Sequence, residues 1–557
     1  MEVIHRSHLA RICNAEIAGV AVSAPFLVTN GDGNMSMAVD GHKRIFKLGG
    51  KTVTQGSKVL PPLAARRKGT VVDNGDGIIS LRLPLPEDVT VPERTELVIV
   101  DNGFELRRDP AELARSISHI RNLCGDRPLL MATGIADPSN MAMLVYMGVD
   151  VFDDSLAWTM AARGVLLRPE GRISSQAPVE ELVKANLVFM SEELELIRTF
   201  ITRDRLRELV DQRAVSSPTN VVALRIFDKQ CWDATESRTP VIGGKFACNT
   251  PQSLQRPDVV RHRRRVLDRY KAPVHKRILV LLPCSARKPY FTSRSHRRFI
   301  EAIRSGDHFG LVHELILTSP LGLVPRELET FYPCAHYDIP VSGEWTGEEV
   351  DMISGMLKEY VIANGYDHVV SHIGDGGLLT GDVEVIDTSM GDPASDPALR
   401  LLDETLRRLS KDYGKVPAMT DRANTMRSML RYQFGPEGEA VLEGATVVGK
   451  YPYWKIMDEK TQLGMHTPDR GMTSLTLDGA ARLIDINLNV VSIENFQIKG
   501  NIFAIGVKEA DPRIRVGDEV AVVREGQLAA VGVAQMSGIE MKAMDRGIAV
   551  KVRHKSK

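Results

Sequence analysis

Arg277-Ile278-Leu279-Val280-Leu281-Leu282-Pro283-Cys284-Ser285-Ala286-Arg287-Lys288-Pro289-Tyr290-Phe291-Thr292-Ser293-Arg294-Ser295-His296 is the stretch from which the rest of this chain is read. Its apolar opening has the length of a buried strand. Phe299, Ile300 and Ile303 then recur at helical spacing, and His296 falls on the same face. Strand, loop and helix are therefore expected in succession. Ser293 or Ser295 can cap the helix, whose first N–H groups would favour an anion or a developing negative charge. Between strand and helix lie a thiol, an amine, a phenol and hydroxyls, with an imidazole just beyond. Reactive groups on a loop above a buried strand suit an active site.

Outward from this stretch, residues 277 to about 415 read as one α/β region. Further strands are expected at 314–318 and 367–371, with helices near 346–361 and 397–411. Upstream, residues 1 to about 265 are a first α/β region, with short apolar runs at 97–100 and 128–132 and helical stretches at 110–123 and 138–147. The basic run Arg261-His262-Arg263-Arg264-Arg265 and then Pro273 suggest a boundary between the two. A small α+β segment is expected over 416–485. Short strands broken by glycines follow to the basic end Lys551-Val552-Arg553-His554-Lys555-Ser556-Lys557. The division expected is thus 1–270, 271–415, 416–485 and 486–557.

The whole chain bounds the function less. Its 557 residues suffice for several cores, and 71 basic residues against 71 acidic ones leave no bulk attraction to nucleic acid. Any such surface must be local. Cys13, Cys124, Cys231, Cys248, Cys284 and Cys334 are scattered, which speaks against a zinc knuckle or a disulfide framework and favours a reducing cytoplasm. No metal or cofactor is expected. No run approaches the ~18 apolar residues of a membrane span, and residues 1–9 lack a signal-peptide core.

Gly148-Val149-Asp150-Val151-Phe152-Asp153, followed by Arg163-Gly164, resembles the strand-end segment of tRNA-guanine transglycosylases; Thr133-Gly134-Ile135-Ala136 resembles the loop before it. The resemblance implies a TIM-type barrel, places Asp153 at the family nucleophile and puts Asp101 where an Asp recognises the base. Yet the family's clustered zinc ligands are missing, since Cys231 and Cys248 stand alone, and the neighbours of Asp101 are altered. Base exchange is therefore expected to have lapsed, with Asp101 and Asp153 left as base contacts. The stretches 514–520, 530–534 and 546–554 are similar to a PUA domain, a small β-barrel that binds structured RNA, with Arg546, Lys551, Arg553 and His554 as its RNA contacts.

The spacing Pro283-Cys284, Lys288-Pro289-Tyr290, Ser293, His296 is similar to that of the archaeosine synthase family, as are the stretches 249–261, 317–329 and 336–340. That family implies tRNA carrying 7-cyano-7-deazaguanine in its D-loop as substrate. It implies addition of an amine to the nitrile, and a radical-SAM partner that converts the adduct to archaeosine. Lysine is the donor favoured; glutamine or ammonia, or an active transglycosylase, are the alternatives, and a homodimer is compatible with the family. In this reading Cys284 attacks the nitrile and His296, with an ordinary pKa near neutrality, is the base. Lys288 and Tyr290 stabilise or protonate the nitrogen, with Ser293 beside them. Arg326 and Glu327 hold the lysine head group, and Asp338 contacts substrate.

Overall fold

The computed structural model describes residues 1–40, 43–56, 69–85, 89–92, 94–340, 344–373 and 384–556. Two compact units emerge: Met1–Thr239 with Phe503–Val507 and Met536–Ala549, and Pro240–Ile502 with Lys508–Gln535 and Val550–Lys557.

In the first unit, Leu97–Val100 and Leu129–Ala132 are buried at every residue, as apolar strands covered on both faces must be. They pair in parallel with each other. Ile78–Arg82 lies beyond the first, and Val151–Asp153 and then Phe26–Asn30 beyond the second. Antiparallel strands flank this run and complete a nine-stranded sheet. The barrel implied by resemblance is only partly met. Among the described residues the outer strands Lys51–Gly56 and Thr70–Asp73 do not pair with each other. Beyond Gly171–Ser174 the chain is helical, in Val179–Thr202, Leu206–Ala214, Pro218–Gln230 and Trp232–Glu236, and supplies no further barrel strand.

The second unit is built on a five-stranded sheet ordered Gly322–Pro325, Val312–Thr318, Ile278–Pro283, His368–Ser371, Val385–Asp387. Ile278–Pro283 is the first of these in the chain and the central one in space, parallel to both neighbours. The chain leaves it for Val312–Thr318 on one side and later fills His368–Ser371 on the other. Open α/β sheets bind ligands beyond the carboxyl end of the strand where the order reverses in this way. Cys284 follows that end directly.

Helix Arg294–Ile303 is capped by Ser293, whose Oγ accepts from the His296 N–H at 3.2 Å. Of the two serines suggested by sequence, this one is the cap. Helix Pro257–Asp268 carries the basic run and packs with the second unit. His262 bonds the Tyr432 hydroxyl and the Leu323 carbonyl, each at 2.9 Å, and Arg261 donates to the Pro240 carbonyl. The charge run is a helix with one buried face, so the units divide at Thr239, ahead of the boundary suggested by Pro273.

Four antiparallel strands over Thr446–Leu475 and helix Leu477–Asp485 form the α+β segment. The last strands place Gln527–Ala534 between Glu519–Arg524 and Ile548–Lys555, all antiparallel. No described helix is long and apolar enough to cross a membrane.

Candidate active site

Cys284 is half-buried and packs against an apolar cluster that includes Tyr290, Phe299 and Tyr337. Lys288, also half-buried, sets its Nζ 4.0 Å from the centroid of the Tyr337 ring, a cation–π contact. Burial lowers the pKa of this amine, and the nearby Cys284, Asp338 and Cys248 only partly oppose the shift. The site therefore holds an amine that gives up its proton more readily than a lysine in water.

Tyr290 lies under the loop. Its hydroxyl is hydrogen-bonded to that of Tyr337, which contacts Thr318 Oγ1 at 2.5 Å. Burial raises both phenol pKa values far above the ordinary one, so the chain remains a set of protonated hydroxyls. Tyr337 arrives through a short ladder in which Tyr337–Asp338 pairs in parallel with Phe246–Ala247, and the Cys248 N–H donates to the Asp338 carbonyl at 2.8 Å. Asp338 itself is exposed at the rim. Thr318 and Tyr337 lie in stretches that carry the family resemblance and Cys248 was noted only as an isolated thiol, so none of the three had a site role from sequence. Nothing in a two-residue strand marks its partner, and only the fold brings these three to Lys288.

His296 corrects the sequence reading. It is fully buried, with its ring 5.1 Å from that of Tyr290, and Nδ1 accepts from Arg326 at 3.0 Å. Burial first, and then the Arg326 charge, push its pKa down to about 2. It is neutral and enclosed, so the near-neutral titration expected of it as a base is not what this environment gives. It fixes Tyr290 and Arg326 instead. Ser293 is likewise occupied as a helix cap.

Arg326 is buried and bonds Glu314 at 2.7 Å and Glu329 at 3.2 Å. Glu327 is buried and accepts from the Tyr270 hydroxyl at 2.6 Å, with His313 at 3.5 Å. Both line a cavity of about 370 Å³ with Lys276, Asp421, Arg422 and Tyr451. They are not the unengaged pair expected to clamp a zwitterion, because internal partners already absorb these charges.

Three neutral buried histidines give a stability prediction. The pKa values of His262, His296 and His466 fall to about 4, 2 and 3, chiefly by burial. The unfolded chain binds protons at these positions from about pH 6.5 downward while the folded one does not. Stability is thus fully present above pH 6.5 and is lost as pH falls. The expected slope is about 1.4 kcal/mol per pH unit for each histidine. Denaturant titrations at pH 7 and pH 5 measure it, and His296→Gln should reduce the difference by about a third, leaving the contributions of His262 and His466.

In the first unit, Asp153 is buried and its Oδ1 accepts from the N–H groups of Gly134 (2.9 Å) and Ser155 (3.2 Å). Arg44 lies over its other oxygen at 3.6 Å and donates to the Asp101 carbonyl at 3.3 Å. Burial lifts the Asp101 carboxyl to about 6. The strand-end carboxylate is covered by a guanidinium that sequence reasoning missed. Among the described residues, the Asp153 carboxylate faces this guanidinium and the two backbone N–H groups.

Of the expected RNA contacts, Arg546, Lys551 and His554 are exposed. Arg553 instead turns inward to the buried Glu519 carboxylate and the Leu475 carbonyl, so it is a structural clamp. A carboxylate as deeply buried as Glu519 requires a cation, which takes Arg553 out of solution.

Residues 492–555 match the PUA domain, and residues 259–406 match a domain of unknown function (DUF5591) that spans the candidate site. The chain is 33% identical to archaeosine synthase subunit alpha of Thermoplasma acidophilum, covering 89% of this chain and 96% of that protein. It is 34% identical to archaeosine synthase subunit alpha of Methanosarcina acetivorans, over 83% and 80% of the two. It is 26% identical to tRNA-guanine(15) transglycosylase of Methanobrevibacter smithii, over 75% and 65%. A candidate active site joined to an RNA-binding module is the arrangement of a tRNA-modifying enzyme. The chain belongs to the archaeosine synthase family.

Proposed function

We propose that this enzyme serves archaeosine biosynthesis by adding the side-chain amine of free lysine to the nitrile of 7-cyano-7-deazaguanine in the D-loop of tRNA. The observation that carries the reading is the pairing of Cys284 with the half-desolvated Lys288 beyond the end of the central strand. Addition to a nitrile needs a nucleophile freed of its proton and a proton for the nitrogen. Lys288 supplies both, and takes the role that burial denies to His296.

In the first step the amine of Lys288 takes the Cys284 proton and the sulfur bonds to the nitrile carbon. The resulting ammonium returns that proton to the nitrogen, giving a thioimidate. The amine of the substrate lysine then attacks the same carbon, the C–S bond breaks, and the surplus proton passes through Lys288 back to the thiolate. The net change is one amine added across one nitrile. The base must leave its stack to reach the loop. The name subunit alpha carried by relatives supports a second subunit, which we assign as the radical-SAM enzyme that cleaves the lysyl adduct.

Incubation of cyano-tRNA with lysine, glutamine or ammonium, followed by nucleoside mass spectrometry, separates the donors. The expected product carries one whole lysine; a product formed only with glutamine or ammonium removes the lysine reading. Because Arg44 covers Asp153, no labelled guanine should enter unmodified tRNA, and incorporation would restore the transglycosylase as a working activity.

A further inference from the structure

In the first unit, Arg107, Arg108, Arg163 and Arg172 converge on a cavity of about 370 Å³ walled by Phe104, Met160 and Val165. Among the described residues, one carboxylate pairs with any of the four: Asp137, at 2.7 Å from Arg172. Four guanidiniums thus face a single carboxylate, in a chain whose charges as a whole balance at 71 and 71. Arg107 rests over the Phe104 ring at 5.2 Å, and burial first, then the charges of Arg172, Arg163 and Arg108 against the opposing Asp137, lower its pKa to about 10. Such a concentration of like charge is unfavourable by itself, and an anion would relieve it.

A second cavity of about 280 Å³ shares Arg107 and Arg172 with the first. Its wall adds Ser139, Asn140, Ser216, Ser217 and Thr219, and also the Asp137 carboxylate that pairs with Arg172. Arg107 and Arg172 thus reach both cavities, and guanidinium forks are suited to phosphate oxygens. None of these residues belongs to the amine-addition site or to the C-terminal RNA-binding strands.

We infer that this arginine-lined cavity and its neighbour bind backbone phosphates of the substrate RNA, as a positioning surface separate from the PUA domain. The inference rests on tRNA being the substrate but not on the chemistry at Cys284. Phosphate contacts fix the register of a nucleic acid without reading its sequence, and this is what presenting one chosen D-loop base requires.

The test uses full-length protein and an unmodified tRNA transcript, so the nitrile reaction plays no part. Arg108 and Arg163 are exposed and make no described ion pair, so Arg108→Gln/Arg163→Gln should fold normally; circular dichroism verifies this. Affinity measured by fluorescence anisotropy should fall about tenfold, and the slope of log K against log salt should become shallower by about 1.5, as for two lost phosphate contacts. Lys184→Gln, an exposed charge on another helix, should change neither. Millimolar inorganic phosphate should fail to displace the transcript from the wild type. Unchanged affinity and slope in the double variant, or an equal loss in Lys184→Gln, would overturn the proposal. Displacement by inorganic phosphate would reassign the cavity to a small phosphorylated ligand.

Discussion

Cys284→Ser should reduce turnover of cyano-tRNA by more than about a thousandfold, the scale on which loss of a nucleophile is felt. The substitution changes one atom at a half-buried position next to an apolar cluster, so fold and tRNA affinity should be retained. Serine keeps the size and a proton but is a far weaker nucleophile at neutral pH. Its alkoxide is not accessible to an amine base of lowered pKa, whereas a thiolate is. Single-turnover kinetics with saturating tRNA measure the effect on the chemical step. A rate within a few-fold of wild type would show that the donor amine attacks the nitrile directly, leaving Lys288 as base and the thiol as packing.

The second large effect is expected at Lys288. Lys288→Gln should cost about 10²–10⁴ in rate, the usual weight of a positioned proton-transfer group. Lys288→Arg should fare no better, since a guanidinium keeps its charge but not the capacity to give up a proton. In the wild type the active form is the neutral amine, so the single-turnover rate of adduct formation with cyano-tRNA and no donor rises with pH as Lys288 loses its proton. Because burial lowers its pKa, that rise should level off below the pH at which a lysine in water titrates. His296 adds no limb between pH 5 and 9, because it stays neutral there. Rescue of Lys288→Arg to wild-type rate would assign the residue to charge alone, and a pH-independent rate would remove it as a base.

The contrast between these two residues and His296 shows what the sequence could carry. Apolar runs and helical spacing marked Ile278–Pro283 and Arg294–Ile303 correctly, because strand burial and amphipathic helices follow from local pattern. The same spacing put His296 on the apolar face, and there the pattern already held the answer. An imidazole among Phe299 and Ile303 is desolvated, and desolvation removes the near-neutral pKa that made it attractive as a base. Arg326 and Arg553 were legible as cations, but the carboxylates that hold them inside, Glu314, Glu329 and Glu519, are brought in by tertiary packing. Arg44 over Asp153 depends on a strand more than a hundred positions upstream, and no local motif announces it. Closure of the first unit's sheet was not legible for a similar reason: its parallel strands read like those of a barrel, while among the described residues its outer strands do not pair.

The most direct measurement is intact-mass spectrometry of the enzyme mixed with cyano-tRNA while every amine donor is withheld. A one-to-one covalent protein–RNA adduct, mapped to Cys284 after digestion and discharged on addition of lysine to give a lysyl amidine, is the predicted result. No adduct in the wild type, together with full turnover by Cys284→Ser, would contradict activation of the nitrile by the thiol–amine pair at the end of the central strand.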